Sequence, residues 1–346
     1  MKRLSLLFLI VIGIISCHKK YQPRNFNNLD IQEFAFDSTS IRAIAVINKN
    51  TVYFAGSRGE VGFTTDAGKS WTTKFLTYQD SIIPNFRSIA LNGKNVFALS
   101  IGNPALLYKI SEQQTTLVYQ ENHEKVFYDA MQFFDENNGI AMGDATEDCL
   151  SVITTSDGGN SWMKIPCENL PKTVDGEAAF AASNTNIKII GKTVWIATGG
   201  IKSRILKSTN MGKTWKIFET PIVQGNPTQG IYSIDFADKN NGIVIGGDYS
   251  RPEENSANKA MTIDGGKTWN LIAEGQNPNY KSCIQYVPNT NGKEIFAVGK
   301  TGVSFSNDAG NSWREISKEA YYSIQFANEN IAWLSGNQKI GKISLK

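Results

Sequence analysis

Runs in which every second residue is apolar recur along this chain. Seven of them start near Ile41, Arg87, Asp129, Glu177, Ile231, Ser282 and Ala320; examples are IRAIAVI, FRSIAL, YDAMQFF, EAAFAAS and YSIQFA. Period-two alternation predicts strands with one buried face. Each run is followed by a short apolar segment that usually ends in glycine, such as VYFAG, GIAMG, GIVIGG or IFAVG, which predicts a buried second strand. Polar turns such as DENNG (Asp135 to Gly139) and DKNNG (Asp238 to Gly242) join the two. Helix-period stretches are absent.

A third and fourth strand are expected around a turn that the chain repeats. It reads TTDAGKSW at Thr64, TSDGGNSW at Thr155, STNMGKTW at Ser208, TIDGGKTW at Thr262 and SNDAGNSW at Ser306. Asp66, Asp157, Asp264 and Asp308 can accept hydrogen bonds from their own turn, and Asn210 can do the same. Gly68, Gly159 and Gly266 permit a positive φ at the reversal. The tryptophans Trp71, Trp162, Trp215, Trp269 and Trp313 open the outer strand and offer large rings to bury between units. Their spacings are 91, 53, 54 and 44 residues. The wide gap leaves room for a unit with a decayed turn, which Leu106 to Gln120 fits.

Four antiparallel strands in a repeat of this length predict an all-β fold, a seven-bladed β-propeller of four-stranded blades. The last unit has three strands of its own. The N-terminal IQEFAFDS (Ile31 to Ser38) is its expected fourth, which closes the ring and leaves no open sheet edge. The repeated turn resembles the Asp-box, or bacterial neuraminidase repeat. That resemblance implies a structural role on the blade periphery for the turn's acids, not a catalytic one. The stretch Ile41 to Trp71 resembles propellers of the photosystem II stability/assembly factor kind. FYDAMQFFDENNGIAMGD, GEAAFAASNTN, GIVIGGDYSRPEEN and YKSCIQYVP are similar to a group of bacterial secreted propellers, and the similarity runs over nearly all the chain after residue 30.

The first residues change the picture of where the protein works. Lys2 and Arg3 precede the apolar run Leu4 to Ile15, a signal-peptide pattern too short to span a bilayer comfortably. Ile14-Ile15-Ser16-Cys17 resembles the bacterial lipobox, which implies lipidation of Cys17. The expected organisation is a signal peptide over 1–16, a polar tether over 17–30 and a single propeller domain over 31–346. His18-Lys19-Lys20 carries no acidic residue, which favours the periplasmic side of the cell envelope. Without Lys2 and Arg3 the chain has 33 basic and 32 acidic side chains. Such a balance argues against nucleic acid as a partner. An oxidising compartment permits disulfides. Cys149 and Cys167 flank the turn near Gly158 at equal distances, so a bridge between them is one expectation and two reduced thiols the other; Cys283 is expected free and buried.

Propeller geometry also locates a candidate site. If the repeated turns share one face, the opposite face carries the loops entering each innermost strand and the loops between second and third strands. Arg42, Arg87, Asp129, Glu177 and Tyr232 fall in the first set, and Arg58, Asp144, Asp248, Tyr249 and Arg251 in the second. Two arginine forks in one mouth suit an anionic group. The bland alternative is polar solvation of a channel mouth. The expected function is binding of a protein client or a glycan, in the manner of an assembly factor, by a monomer. The alternative is a carbohydrate-active, sialidase-like glycosyl hydrolase or a lyase, with Asp129 or Glu177 as acid or base. Against it stand RAI at Arg42 where sialidases have RIP, a blade count above the sialidase six, and no assignable Tyr/Glu nucleophile pair. No Cys/His spacing suggests a metal, and no glycine-rich cradle suggests a nucleotide cofactor, so neither is expected.

Overall fold

The computed structural model describes residues 21–111 and 114–345. The expected signal peptide and Cys17 lie outside the described residues. Among those residues the structure is all β, apart from one 3-10 turn at Cys167–Asn169. Every strand pairing is antiparallel, and successive strands form hairpins around a central channel.

The expectation of seven four-stranded blades needs correction. The strands form six hydrogen-bonded sheets, four with four strands and two with six. One six-stranded sheet arises because Ile31–Val46 is a continuous strand. Its start, Ile31 to Ala35, pairs with Lys339 to Ile343, and its end, Ala43 to Val46, pairs with Val52 to Ala55. The units expected as first and last blades therefore share one hydrogen-bonded sheet. The N-terminal strand does cover the C-terminal one, as its alternating pattern requires.

The second six-stranded sheet corrects another expectation. The run at Glu177 does not form an innermost strand. Only Glu177–Ala178 is extended, and it pairs with Gly199–Gly200 at the edge of the sheet that contains Gln229–Phe236. The innermost strand of that unit is Ile187–Ile190. The segment Phe180 to Thr185 instead crosses the channel.

The repeated turn folds as its residues dictate. Thr64 Oγ1 accepts from the Gly68 amide at 2.9 Å, and Asp66 Oδ1 accepts from the Ser70 amide at 3.0 Å and from the Thr64 hydroxyl at 2.9 Å. The same bonds recur around Asp157, Asn210, Asp264 and Asp308. The Ser70 hydroxyl and amide together hold the Asp66 carboxyl down at about 2. Two adjacent residues in each turn take positive φ, for example Met211 (61°) with Gly212 (83°). The first of the pair donates its amide to the turn between first and second strands: Ala67 to Asn50, Gly158 to Asn137, Met211 to Lys192, Gly265 to Asn240 and Ala309 to Lys293, each at 2.9 Å. Both kinds of turn therefore lie on one face. The tryptophans pack between units: Trp162 sits 6.3 Å from Phe97 of the preceding sheet and 5.7 Å from Phe133.

The cysteine expectation resolves in favour of the bridge. Cys149 and Cys167 form a disulfide with Cα atoms 5.5 Å apart, and Cys283 is free and buried. Cys167 reaches its partner from the 3-10 turn, not from a paired strand.

Candidate functional site

The face opposite the repeated turns carries a compact cationic and aromatic mouth. Arg42 enters it from the strand Ile31–Val46, and its guanidinium carbon lies 4.0 Å above the Tyr322 ring. Such stacking holds an arginine without neutralising it. Its Nε is buried and has no hydrogen-bond partner. Arg87, on Asn85–Leu91, donates from Nη1 to the Ala181 carbonyl at 3.1 Å. Burial, and then the Arg42 charge, hold the Arg87 guanidinium down at about 10; Tyr322 and Asp129 act the other way.

Asp129 belongs to this cluster but is fully buried. Neither of its oxygens has a hydrogen-bond partner of normal geometry. Burial, and then the neighbouring Asp144, push its carboxyl well above the usual range, against the pull of Arg87. Asp144 is raised to about 6 by burial, although the Ala179 amide donates to it at 2.7 Å. The two acids are neighbours, Asp144 half-buried and Asp129 fully buried, so Asp129 cannot touch a ligand directly.

Glu177 stands apart from these groups. It is buried and bound by Arg204, with Nε at 3.0 Å from Oε1 and Nη2 on Oε2, and by the Thr198 hydroxyl at 2.8 Å. Nothing in the sequence marked Arg204 as its partner. Tyr232 is buried too: its ring stacks on Phe180 at 3.8 Å and meets Tyr280 edge-on at 4.9 Å. Asp248 accepts from the Ser250 amide and hydroxyl at 2.9 and 2.6 Å, with Arg251 at 3.4 Å. Tyr249, 46% exposed, Arg58 and Arg251 are the exposed ones among these residues.

The crossing segment is the feature that sequence reasoning missed. Phe180 to Thr185 runs through the channel and touches several sheets. The Ala181 carbonyl takes Arg87, Asn184 bonds the Met131 amide and the Ile89 carbonyl at 2.9 and 2.8 Å, and the Ser183 hydroxyl donates to the Ser282 carbonyl at 2.7 Å. The mouth is therefore a floor, not the entrance to a through-pore. Beyond the plug a cavity of about 250 Å³ opens toward the repeated turns. It is lined by Gln132, Asp235, Gln285 and Gln325, with Lys188 paired to Asp235 at 2.5 Å. Gln285 and Gln325 each accept an amide of the neighbouring innermost strand, Phe326 and Val46. Their signal was present in the sequence: AMQF, SIDF, CIQY and SIQF carry one polar residue at the same position of the alternating run.

Among the described residues no group of three His, Cys, Asp or Glu could hold a metal ion. No helix among them is long and apolar enough to cross a membrane.

Comparison with solved structures settles the architecture. A YCF48 structure described as bound to D1 peptide superposes with a TM-score of 0.67 at 14% identity, covering 93% of this chain and 98% of that one. YCF48 from Cyanidioschyzon merolae gives 0.63 at 14% identity, with coverages of 91% and 98%. The WD40 repeats of RRP9 give 0.65 at 11% identity, with coverages of 94% and 100%. The fold is a β-propeller. At these identities the likeness speaks for the fold alone. No family model and no curated protein matches the chain.

Proposed function

We propose that this propeller is an exported, lipid-anchored protein of the Asp-box kind that binds a protein client on the face opposite its repeated turns, in the manner of an assembly factor. The observation that carries the reading is the plugged mouth. Arg42 and Arg87 stand on a closed floor beside Tyr322, with the neighbouring Asp129 held below the surface. A shallow charged floor suits an extended chain with an acidic or carboxylate group better than a deep small-molecule pocket does. A propeller of the same fold is described as bound to a peptide, which is a fact about that protein and a precedent for the mode. Export and anchoring rest on the sequence from Lys2 to Cys17. A glycan ligand is the second reading, carried by exposed Tyr249 beside the Tyr232 and Tyr280 rings.

The test is a photo-crosslinker placed at Tyr249 in the native membrane, with captured partners identified by mass spectrometry. The expected product is one dominant protein adduct, lowered about tenfold by Arg42→Ala with Arg87→Ala, the scale of an arginine hot spot. The variant's melting temperature should stay near that of the parent. Undiminished capture in the double variant would remove the mouth from the proposal, and a glycan adduct would favour the second reading.

A further inference from the structure

The segment read as a tether does not hang free from Tyr21 onward. Glu294, whose side chain is completely buried, accepts the Tyr21 hydroxyl, the Arg24 amide at 2.7 Å and the Arg24 guanidinium at 2.6 and 2.9 Å. Phe26 packs edge-on against Phe305 at 5.0 Å. The Arg24 carbonyl accepts from Asn307, a residue of a repeated turn, at 2.8 Å, and Arg24 Nη1 donates to Asn330, in a turn between first and second strands, at 3.1 Å. The chain therefore leaves the propeller on the repeated-turn face. Cys17 is four residues before Tyr21, a reach of at most about 14 Å when fully extended.

That face carries a distinctive charge arrangement. Lys49, Lys192, Lys239 and Lys293 stand in turns between first and second strands. Lys69, Lys213 and Lys267 stand in repeated turns. All seven are exposed, and none is in an ion pair among the described residues. Most acids of the same face are tied down, Asp30 and Glu329 excepted. Asp66, Asp157, Asp264 and Asp308 accept bonds from their own turns, as do Asp135 and Asp238, and Glu136 pairs with Lys94. Long ammonium arms thus project beyond folded-back carboxylates. Ile263, at a turn tip, adds an apolar side chain that is 75% exposed.

We propose that the repeated-turn face lies against an anionic bilayer surface, with its unpaired lysines as headgroup ligands, and that the docked segment Tyr21 to Phe26 fixes this orientation. The proposal rests on the membrane-anchored reading above and adds to it which face meets the lipid. Lysines near such a surface are drawn to its negative charge, and a second attachment of this kind strengthens a lipid anchor. The client face is then turned away from the bilayer.

Lysine acetylation of the protein purified from its membrane and reconstituted on vesicles tests this. On phosphatidylcholine vesicles containing phosphatidylglycerol, Lys213, Lys239 and Lys267 should react about tenfold more slowly than in detergent. Lys125 and Lys318, in loops of the opposite face, should react unchanged. Arg24→Ala with Glu294→Gln removes both charges of the clamp together; in that variant the contrast between faces should shrink while vesicle association persists. Equal or reversed protection of the two faces, or failure to associate with vesicles, overturns the proposal. Equal protection on pure phosphatidylcholine overturns the role of the lysines. The mass of the N-terminal peptide reads the anchor separately: a peptide without acyl chains removes lipidation at Cys17 and leaves the protection pattern to decide the face.

Discussion

At the scale of single residues, the repeated turn shows how backbone and packing demands separate. Gly212 and Gly159 hold the same motif position, with φ of 83° and 77°. A Cβ on Gly212 would find its nearest atoms at 3.5 Å, an ordinary contact, whereas one on Gly159 would come within 2.3 Å of the Phe97 ring. Gly212→Ala should therefore cost only the left-handed strain, about 1–2 kcal/mol. Gly159→Ala should cost clearly more, because Phe97 must move in a packed core. Urea titration of the two variants checks the order, and equal losses would show that the ring yields freely. Asp144 gives a pH-dependent case. Its folded pKa, about 6, lies above the ordinary carboxylate value, so the fold disfavours its ionised form. The stability it contributes is full below about pH 4 and is lost as pH rises through about 6. Asp144→Asn keeps an oxygen for the Ala179 amide and removes one charge from the pair with Asp129. It should raise stability by about 1–2 kcal/mol at pH 7.5 and by little at pH 4, as melting curves across that range would show.

At the scale of elements, the segment Phe180 to Thr185 matters more than any strand. It looks like an innermost strand because its apolar residues alternate, yet its polar groups find partners across the channel. The Asn184 side chain makes two of those bonds, accepting from the Met131 amide and donating to the Ile89 carbonyl. Asn184→Ala leaves both groups without that partner, which should cost about 2 kcal/mol. It should also loosen the Ala181 carbonyl that holds Arg87. Hydrogen exchange at Met131 and client capture should then change together. Unchanged exchange there would show that the plug is held by its other contacts.

At the scale of the whole molecule, stability depends on residues far apart in sequence that complete the ring. Arg24 and Glu294 are an ion pair separated by 270 residues, with Glu294 fully buried. Arg24→Ala removes the charge partner while the segment still covers Glu294, and should lose about 3 kcal/mol. Adding Glu294→Gln should recover most of the loss, because it removes the charge along with its partner. A chain lacking the residues before Ser38 should fare worse. It exposes the edge from Lys339 to Ile343 that Ile31 to Ala35 covers, and an open edge invites association between copies. Denaturant melts and size-exclusion profiles distinguish the two, and a stable monomeric chain starting at Ser38 would contradict the closure argument.

The sequence by itself determined the all-β character, the strand order within most repeats and the chemistry of the turns. These follow from local rules: a period of two, glycine where φ is positive, and an Asp two residues after a Ser or Thr. The burial of Trp162 and Trp269 and the free, buried Cys283 were legible for the same reason. Arg42, Arg87 and Asp129 could be placed together because each holds the same position in the alternating run of its repeat. What only the tertiary structure decided was pairing at a distance. Continuity of the strand Ile31–Val46 merges two expected blades into one sheet, and no local pattern encodes whether hydrogen bonding stops at a blade boundary. The alternation at Glu177 is equally consistent with a strand or a plug, and the choice falls to Arg204, Asn184 and Ser282, which only folding brings near. Glu294 finds Arg24 by the same route, since a buried charge takes whichever partner the closed ring delivers to it.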